Sequence, residues 1–345
     1  MTRVGLVGYG SAGRTFHAPL ITAAGLDLVA VTTASPERVA QVRSDHPSAL
    51  VVPDLAALLE VPDLDLVVVA SPTGVHVEQA RQVAEAGRAA VVDKPLAVDA
   101  SGALEVCDVF AHEGAALTVF QNRRYDREFR TVQAVLASGD LGPIVRAELR
   151  WERWRPVPKD RWRENATAEQ GGGLLLDLFS HLVDQAVLLF GPVTTVYAEL
   201  AAHTTTAEDT AFLSCRHTSG VISHLGATTV AAAPGPRVRL LGERAAYVLA
   251  AQHDEETAFT EFLPQDGGHA GWLVRGDTRE QVPVQPGEPA DFYREVAVAL
   301  ASTDPQAAMP VDPRDAIHVL AVLDAARVSA AAGRVVEVIT PGVVP

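Results

Sequence analysis

Short apolar runs recur along the first third of the chain, each followed by a glycine, a turn or a helix-like stretch. Val4-Gly5-Leu6-Val7, Leu28-Val29-Ala30-Val31, Leu66-Val67-Val68-Val69, Ala89-Ala90-Val91-Val92 and Leu117-Thr118-Val119-Phe120 carry almost no polar alternation. Such runs read as strands buried on both faces. Between them, the stretch from the glycine-rich turn through Ile21, Leu55 to Leu59, Val75 to Ala86 (stopped by Gly87) and Ala103 to Ala111 predict helices. Strands separated in this way by helices predict βαβ units and a parallel sheet.

After Phe120 the pattern changes to alternation. Ile144 to Trp151 places Val145, Ala147, Leu149 and Trp151 on one face. Similar alternation marks Thr195 to Leu200, Ala211 to Cys215, Val221 to Thr228, Val238 to Leu241 and Ala246 to Ala250, with short joins such as Thr218-Ser219-Gly220. Pro313 to Ala332 reads as a final helix, ended by Gly333. The predicted fold class is α/β: an N-terminal Rossmann parallel sheet domain (1–121) plus a C-terminal α+β domain (122–345) with a mostly antiparallel open sheet. A sheet with one apolar face needs cover from helices or a second subunit, so a homodimer or homotetramer through the C-terminal sheet is expected.

Gly8-Tyr9-Gly10-Ser11-Ala12-Gly13 follows the first strand directly and opens a helix, the setting a dinucleotide-binding turn requires. Gly8 allows the tight turn, Gly10 lets the backbone approach a pyrophosphate, and Gly13 lets helix and strand pack closely. Ser11 and Ala12 stand at the helix amino terminus, whose free amides suit phosphate. About twenty positions further on, an Asp or Glu would choose NAD. The chain has Thr32-Thr33-Ala34-Ser35 there, with Arg38 shortly after. Thr33, Ser35 and Arg38 suit a 2′-phosphate, so NADP is expected, with NAD the other possibility. The alternative for Ser35-Pro36 is a plain helix cap with Arg38 solvated.

Candidate chemistry comes from rarer residues. The chain has two lysines, Lys94 and Lys159, against twenty-six arginines. A retained lysine is a candidate for work arginine cannot do, because its compact ammonium gives and takes a proton. Lys94 stands between Asp93 and Pro95 at the predicted carboxyl end of a buried strand, where ligands bind in open α/β sheets. Lys159 lies in an Arg-, Pro- and Trp-rich loop and reads as ordinary solvated charge. In the second half, Gly171-Gly172-Gly173 precedes a stretch, 174–190, that is apolar nearly all round and so predicts a buried helix. Asp177 and His181 share a face of it, with Asp184 one turn on. Burying such groups unpartnered costs roughly 2–7 kcal/mol even for a neutral one, so they pair with each other or face a cleft. A histidine beside a carboxylate is a proton carrier near neutral pH. A satisfied core pair is the alternative; for a metal no third ligand stands out, and none is expected.

Bulk properties narrow the class. The net charge of −15 repels phosphate backbones and anionic lipid, so neither nucleic acid nor a membrane is expected as partner. Cys107 and Cys215 form no CxxC pair. No apolar stretch approaches the ~20 residues of a membrane span. The chain enters its first strand with no signal peptide before it, and a cytoplasmic enzyme is expected.

The strand–GYGSAG–helix start, Ser71-Pro72-Thr73 with His76, the Asp93-Lys94-Pro95 triplet and the Gly171-Gly172-Gly173…Asp177…His181 helix resemble the Gfo/Idh/MocA oxidoreductases. That family usually has Glu-Lys-Pro; Asp93 is a shape-preserving departure. Thr15-Phe16-His17-Ala18-Pro19-Leu20-Ile21, Phe120-Gln121-Asn122-Arg123-Arg124-Tyr125-Asp126 and Asp160-Arg161-Trp162-Arg163-Glu164 look like its branch containing NADP-dependent scyllo-inositol dehydrogenase. The resemblance implies hydride transfer between a nicotinamide and a hydroxyl or carbonyl carbon of a cyclic polyol or sugar. It makes Lys94, Asp177 and His181 the catalytic set. It places Ser71, Thr73, His76, Asp93 and Asn122 at the cofactor, and Arg123, Tyr125, Trp162 and Arg163 around the substrate. Two other activities on such a fold are a dinucleotide-binding regulator without turnover and an NAD-dependent glycoside hydrolase.

Overall fold

The computed structural model describes residues 1–159, 162–250 and 268–342. The uninterrupted apolar runs become strands, because a sheet covered on both sides by helices accepts no polar face. β1 (Arg3–Val7), β2 (Asp27–Thr32), β3 (Leu50–Val52), β4 (Leu66–Val69), β5 (Ala89–Asp93) and β6 (Leu117–Phe120) lie in the order β3-β2-β1-β4-β5-β6. Every pairing is parallel. A π-helical turn, Gly13–His17, runs into α1 (Ala18–Ala23), and α2 (Pro36–Asp45), α3 (Leu55–Leu59), α4 (His76–Glu85) and α5 (Ala100–Glu113) complete the alternation. The apolar pattern does not foretell β3 or α2. β3 has three residues, none buried, and α2 buries only Val42, so neither leaves a periodic signal.

The chain divides into two compact units: Met1–Asn122 with Pro289–Ile317, and Arg123–Glu288 with His318–Pro345. The second holds α6 (Arg127–Ser138), β7 (Ile144–Glu152), α7 (Trp162–Asn165), a π-helical turn Leu175–Phe179, and α8 (Ser180–Phe190). β8 (Val193–Ala201), β9 (Thr210–His217), β10 (Ile222–Thr228), β11 (Val238–Gly242), β12 (Ala246–Leu249), β13 (His269–Arg275) and β14 (Thr278–Pro283) follow. With the two-residue β15 (Val336–Glu337) they form one sheet, β14-β13-β12-β11-β7-β10-β9-β8-β15. Only β7 and β10 pair parallel; the other neighbours are antiparallel. The expected alternation is met on β10, where Ser223, Leu225 and Ala227 are buried and their neighbours are not. α8 packs on β7 and β10. Val145 departs from the expected face: it is 61% exposed, because the β7–β11 register shifts between Leu241 and Gly242. β14 escapes the pattern because almost every residue in it is exposed.

The chain returns to the first unit through α9 (Asp291–Leu300), α10 (Pro305–Ala308) and the start of α11 (Pro313–Ala332). The Gln306 amide both accepts from Leu117 N (2.8 Å) and donates to Leu117 O (3.3 Å), so a side chain satisfies the outer edge of β6. Gly333, at φ +64, ends α11 as expected. No helix among the described residues is long and apolar enough to cross a membrane.

A charge sits inside the second unit. Arg237 is 2% exposed; it donates to Arg150 O (2.8 Å) and Gln185 Oε1 (3.3 Å) and lies 3.4 Å from Glu128 Oε1. Burial pulls the guanidinium pKa down, and Glu128 opposes that. Removing one member of a buried pair strands the other, at about 3–5 kcal/mol. Arg237→Ala is expected to lower stability by about that much, read as a fall in the urea midpoint; a loss under about 1 kcal/mol would refute the pairing's importance.

Candidate functional site

Parallel strands β1, β2, β4, β5 and β6 all end on one edge, and their carboxyl ends carry the candidate residues of the first unit. Gly8 follows β1 at φ +93, and a Cβ there would stand 3.0 Å from Ala70 O and 3.3 Å from Ser71 N. Only glycine takes this turn against the residues after β4 without strain. A Cβ on Gly13 would stand 2.1 Å from Gly8 O, so the helix can close onto the turn only as glycine. Gly10 differs: a Cβ there meets nothing within 4 Å. Its absence leaves room above the backbone instead of relieving an internal clash. β1 and β4 are also where the strand order reverses, the crevice in which such sheets bind ligands. These features fit a dinucleotide: a glycine turn, open space over Gly10, and a helix start at Ser11 and Ala12.

After β2, Thr32 Oγ1 accepts from Gly8 N (3.1 Å) and ties this loop to the glycine turn. Thr33 Oγ1 accepts from Ser35 N (3.3 Å), and Ser35 Oγ caps α2 by accepting from Arg38 N (3.5 Å). Ser35 is therefore a helix cap, and Arg38 is exposed in the first turn of that helix. After β4, Ser71 Oγ donates to Gln79 Oε1 (2.5 Å) and Thr73 is buried. His76 lies between two carbonyls, with Nδ1 2.9 Å from Pro95 O and Nε2 2.9 Å from Ser71 O. It thereby joins the loops after β4 and β5. Burial pushes its pKa down, against the pull of Asp93 and the two carbonyls.

Asp93 and Lys94 end β5. Asp93 Oδ1 accepts from Lys94 N (2.8 Å) and lies 3.7 Å from His17 Nε2. Burial pushes the Asp93 carboxyl up, but the His17 ring, Lys94 and His76 hold it below the ordinary carboxylate value. His17 is itself buried in the π-helical turn, its Nδ1 2.6 Å from Tyr293 Oη and its ring 4.3 Å from that of Phe120. His17 stands in the Thr15–Ile21 stretch with no role legible there, and no motif surrounds Tyr293. Asn122, after β6, is buried, and so is its neighbour Gln121, whose Oε1 has no hydrogen-bond partner among the described residues.

In the second unit the glycine triplet is accounted for by crowding. A Cβ on Gly172 would stand 2.3 Å from Ala166 O, and one on Gly173 (φ +91) would collide with the Glu208 carboxylate. That carboxylate accepts from Leu175 N (3.0 Å), capping the π-helical turn. Asp177 lies within this turn and lines a cleft; His181 is buried at the start of α8. Asp184 does not join them. Arg124 holds it through Nε–Oδ2 (2.9 Å) and Nη2–Oδ1 (2.5 Å).

Trp151 is the residue the sequence pattern placed on the inner face of β7 without a function. Its ring stacks on the His181 ring (centroids 5.9 Å apart, 28° between planes). Three guanidiniums approach the same indole: Arg123 at 5.0 Å, Arg153 at 5.2 Å and Arg237 at 4.9 Å. Arg123 is set by Asp126, to which it donates at 2.9 Å, and Tyr125 faces Arg130 at 5.3 Å. Arg123 and His181 are thus brought together through Trp151. Asp160 and Arg161 lie outside the described residues, as do the side chains of Trp162 and Arg163, whose backbone forms α7.

A glycine turn at the reversal of a parallel sheet, with polar loops on the same edge, defines a dinucleotide-binding α/β protein. Known proteins agree. The oxidoreductase family with NAD-binding Rossmann fold matches residues 2–121, and the GFO/IDH/MocA C-terminal domain matches residues 129–248. The chain is 36% identical over 338 residues to the uncharacterized oxidoreductase YdgJ of Escherichia coli, covering 93% of this chain and 94% of that one. It is 28% identical to IolW of Bacillus subtilis, a scyllo-inositol 2-dehydrogenase (NADP(+)), over 94% and 92% of the two chains. The solved structure of YPO2259 from Yersinia pestis superposes with a TM-score of 0.86 at 32% identity, covering 98% of this chain and 97% of that one. The chain belongs to the Gfo/Idh/MocA oxidoreductase family and carries its nicotinamide-dinucleotide-binding Rossmann domain.

Buried histidines give the fold a pH dependence. His76 and, in the second unit, His217 are both held below the ordinary value of 6.5, each by burial. The folded chain therefore binds fewer protons than the unfolded one, and stability rises with pH. Their contribution is present above the unfolded pKa and is lost as pH falls below it toward the folded values. The melting temperature is expected to drop between about pH 7.5 and about pH 5.5; no drop would refute this assignment.

Proposed function

We propose that the protein is an NADP-favouring dehydrogenase/reductase acting on a CH–OH carbon of a cyclic polyol or sugar. The observation that carries this reading is the placement of Asp177 on a cleft and of His181 in a stack on Trp151, within one turn of each other. IolW, named as an NADP-dependent scyllo-inositol dehydrogenase, supports the choice of substrate class and cofactor. The dinucleotide supplies a nicotinamide carbon that accepts or returns hydride. Everything else falls to the chain. The amides after Gly10 hold phosphate, and Thr33 and Arg38 face the adenosine ribose, Arg38 as the cation for a 2′-phosphate in the first turn of the helix that Ser35 caps. Ser71, Thr73, Asp93 and Asn122 border the nicotinamide end.

Lys94 donates a hydrogen bond to the reacting oxygen and fixes its position. His181 takes the hydroxyl proton as the carbonyl forms, and returns it in the reverse direction. Asp177 orients and supports the imidazolium. Trp151 restricts the His181 ring to one plane, so the proton is exchanged along a fixed direction. Arg123, Tyr125, Trp162 and Arg163 complete the substrate side. A regulator without turnover has no use for this set of proton-handling groups.

With NADP⁺ and a panel of inositols and sugars, His181→Ala and Lys94→Ala are expected to lower kcat by about 10²–10⁴-fold with dinucleotide affinity near normal. Retention of more than about a tenth of kcat by His181→Ala would remove it as principal acid/base. Arg38→Ala should weaken NADP binding about tenfold or more and NAD little, as for a lost charge-assisted contact. Equal weakening of both would exclude Arg38 as the 2′-phosphate reader.

A further inference from the structure

His17 and Tyr293 are buried titratable groups that the proposed chemistry does not use, and both lie in the first unit. The π-helical turn Gly13–His17 has His17 at its last position, where the wide turn passes into α1. Single π-helical turns of this kind are frequent at functional sites. Two aromatic neighbours confine the imidazole. Its ring lies 4.3 Å from that of Phe120 and stands edge-on to that of Tyr293, at 6.2 Å and 77°. Tyr293 reaches it from α9, so residues 276 positions apart meet in one cluster.

Only one arrangement of hydrogens on the neutral ring serves both of its polar neighbours. Burial pushes the Tyr293 hydroxyl well above its ordinary pKa, and Asp93 adds to that, so it keeps its proton. It donates that proton to His17 Nδ1, 2.6 Å away. A neutral imidazole that accepts at Nδ1 carries its own hydrogen on Nε2. Nε2 is the nitrogen that lies 3.7 Å from Asp93 Oδ1, and it has no hydrogen-bond partner among the described residues. This contact is longer than a hydrogen bond, but it sets the positive end of an N–H beside a carboxylate where water screens little. The same Asp93 oxygen accepts from Lys94 N at 2.8 Å. The other titratable groups acting on the Asp93 carboxylate are the Lys94 ammonium, next to it on β5, and His76, at the start of α4.

We propose that Tyr293 and His17 are positioning residues: in series they hold the Asp93 carboxylate on the Lys94 amide, and so fix the backbone from which the Lys94 side chain leaves β5. They act through Asp93 and not on the reacting atoms. The proposal rests on the dehydrogenase reading for what Lys94 does, but not for how Lys94 is placed.

Because the chain has two lysines, the placement of Lys94 can be read without turnover. Lys94 is half-buried and Lys159 exposed, so competitive acetylation followed by peptide mass spectrometry reads Lys94 against Lys159 as internal reference. H17F and Y293F both keep an aromatic ring in place. In each, the Lys94-to-Lys159 ratio is expected to change at least about threefold, the scale of one lost hydrogen bond. H17Q, whose amide returns an N–H near the place of Nε2, is expected to stay closer to wild type. A role in packing alone predicts the opposite order, because phenylalanine fills the ring's place and glutamine does not. A ratio unchanged in H17F and Y293F, or one further from wild type in H17Q than in H17F, would overturn the proposal. If H17F does not fold, Y293F, which removes one hydroxyl, decides alone. Turnover is read separately at 340 nm with NADP⁺. On a substrate that wild type oxidises, kcat is expected to fall about tenfold or more in H17F and less in H17Q, since a small misplacement costs up to about 10²-fold. Full kcat in H17F would also overturn the proposal. A changed labelling ratio in a protein that turns over no polyol or sugar would sink the dehydrogenase reading and leave the positioning array standing.

Discussion

Parallel pairing is the constraint on which the first unit depends. When all six strands run one way, all six carboxyl ends open onto one edge, and the loops leaving them are brought together however far apart they lie in the chain. Gly8, Thr33, Ser71, Asp93 and Asn122 thus gather along one edge although more than a hundred residues separate the first from the last. The sheet interior takes few polar side chains (Thr118, which donates to Val311 O, is one), so these groups concentrate at the strand ends, where backbone amides and neighbouring loops can satisfy them. His76 shows the point. Its two nitrogens serve carbonyls of two different loops, so the positions of Ser71 and Pro95 are coupled through one buried ring.

The second unit solves a different problem, the placement of charge on the inner face of an open sheet. Trp151 is its centre. An indole face attracts guanidiniums, and three of them gather on it while an imidazole stacks alongside. Arg237 is fully enclosed and held by a carboxylate, an amide and a carbonyl, whereas Arg153 reaches the cleft. One aromatic side chain therefore joins the buried ion network to the His181 ring. The π-helical turn Leu175–Phe179 adds a further adjustment. It carries Asp177, which lines the cleft, directly into the helix whose first turn holds His181 against the indole.

Much of this is legible in the residues themselves. Uninterrupted apolar runs, a glycine hexapeptide between strand and helix, and alternation after residue 140 determine the fold class, because burial on two faces and burial on one leave different periodicities. The conspicuous chemistry, Lys94 before Pro95 and the Asp177–His181 helix, is local too and can be found without coordinates. What no local pattern carries is pairing across distance. That Asp184 belongs to Arg124, that His17 sits between Asp93 and Tyr293, and that a cap occupies the Ser35 hydroxyl are contacts made by folding. β13, β14 and the edge strand β3 were hidden for a related reason: strands exposed on an edge or held by their neighbours need no apolar period of their own.

The sequence by itself determined the class of each sheet and the dinucleotide turn, and it brought forward Lys94, Asp177 and His181 as candidates, since each follows from composition and spacing over a few turns of chain. Tertiary structure alone decided that Trp151 carries His181, and that Arg153, Arg155 and Lys159 share a lining with Asp177. Charges on an extended segment look the same in sequence whether they face solvent or a cleft. Only the packing of residues 175–190 against β7 and β10 decides which side of that segment lines a cleft.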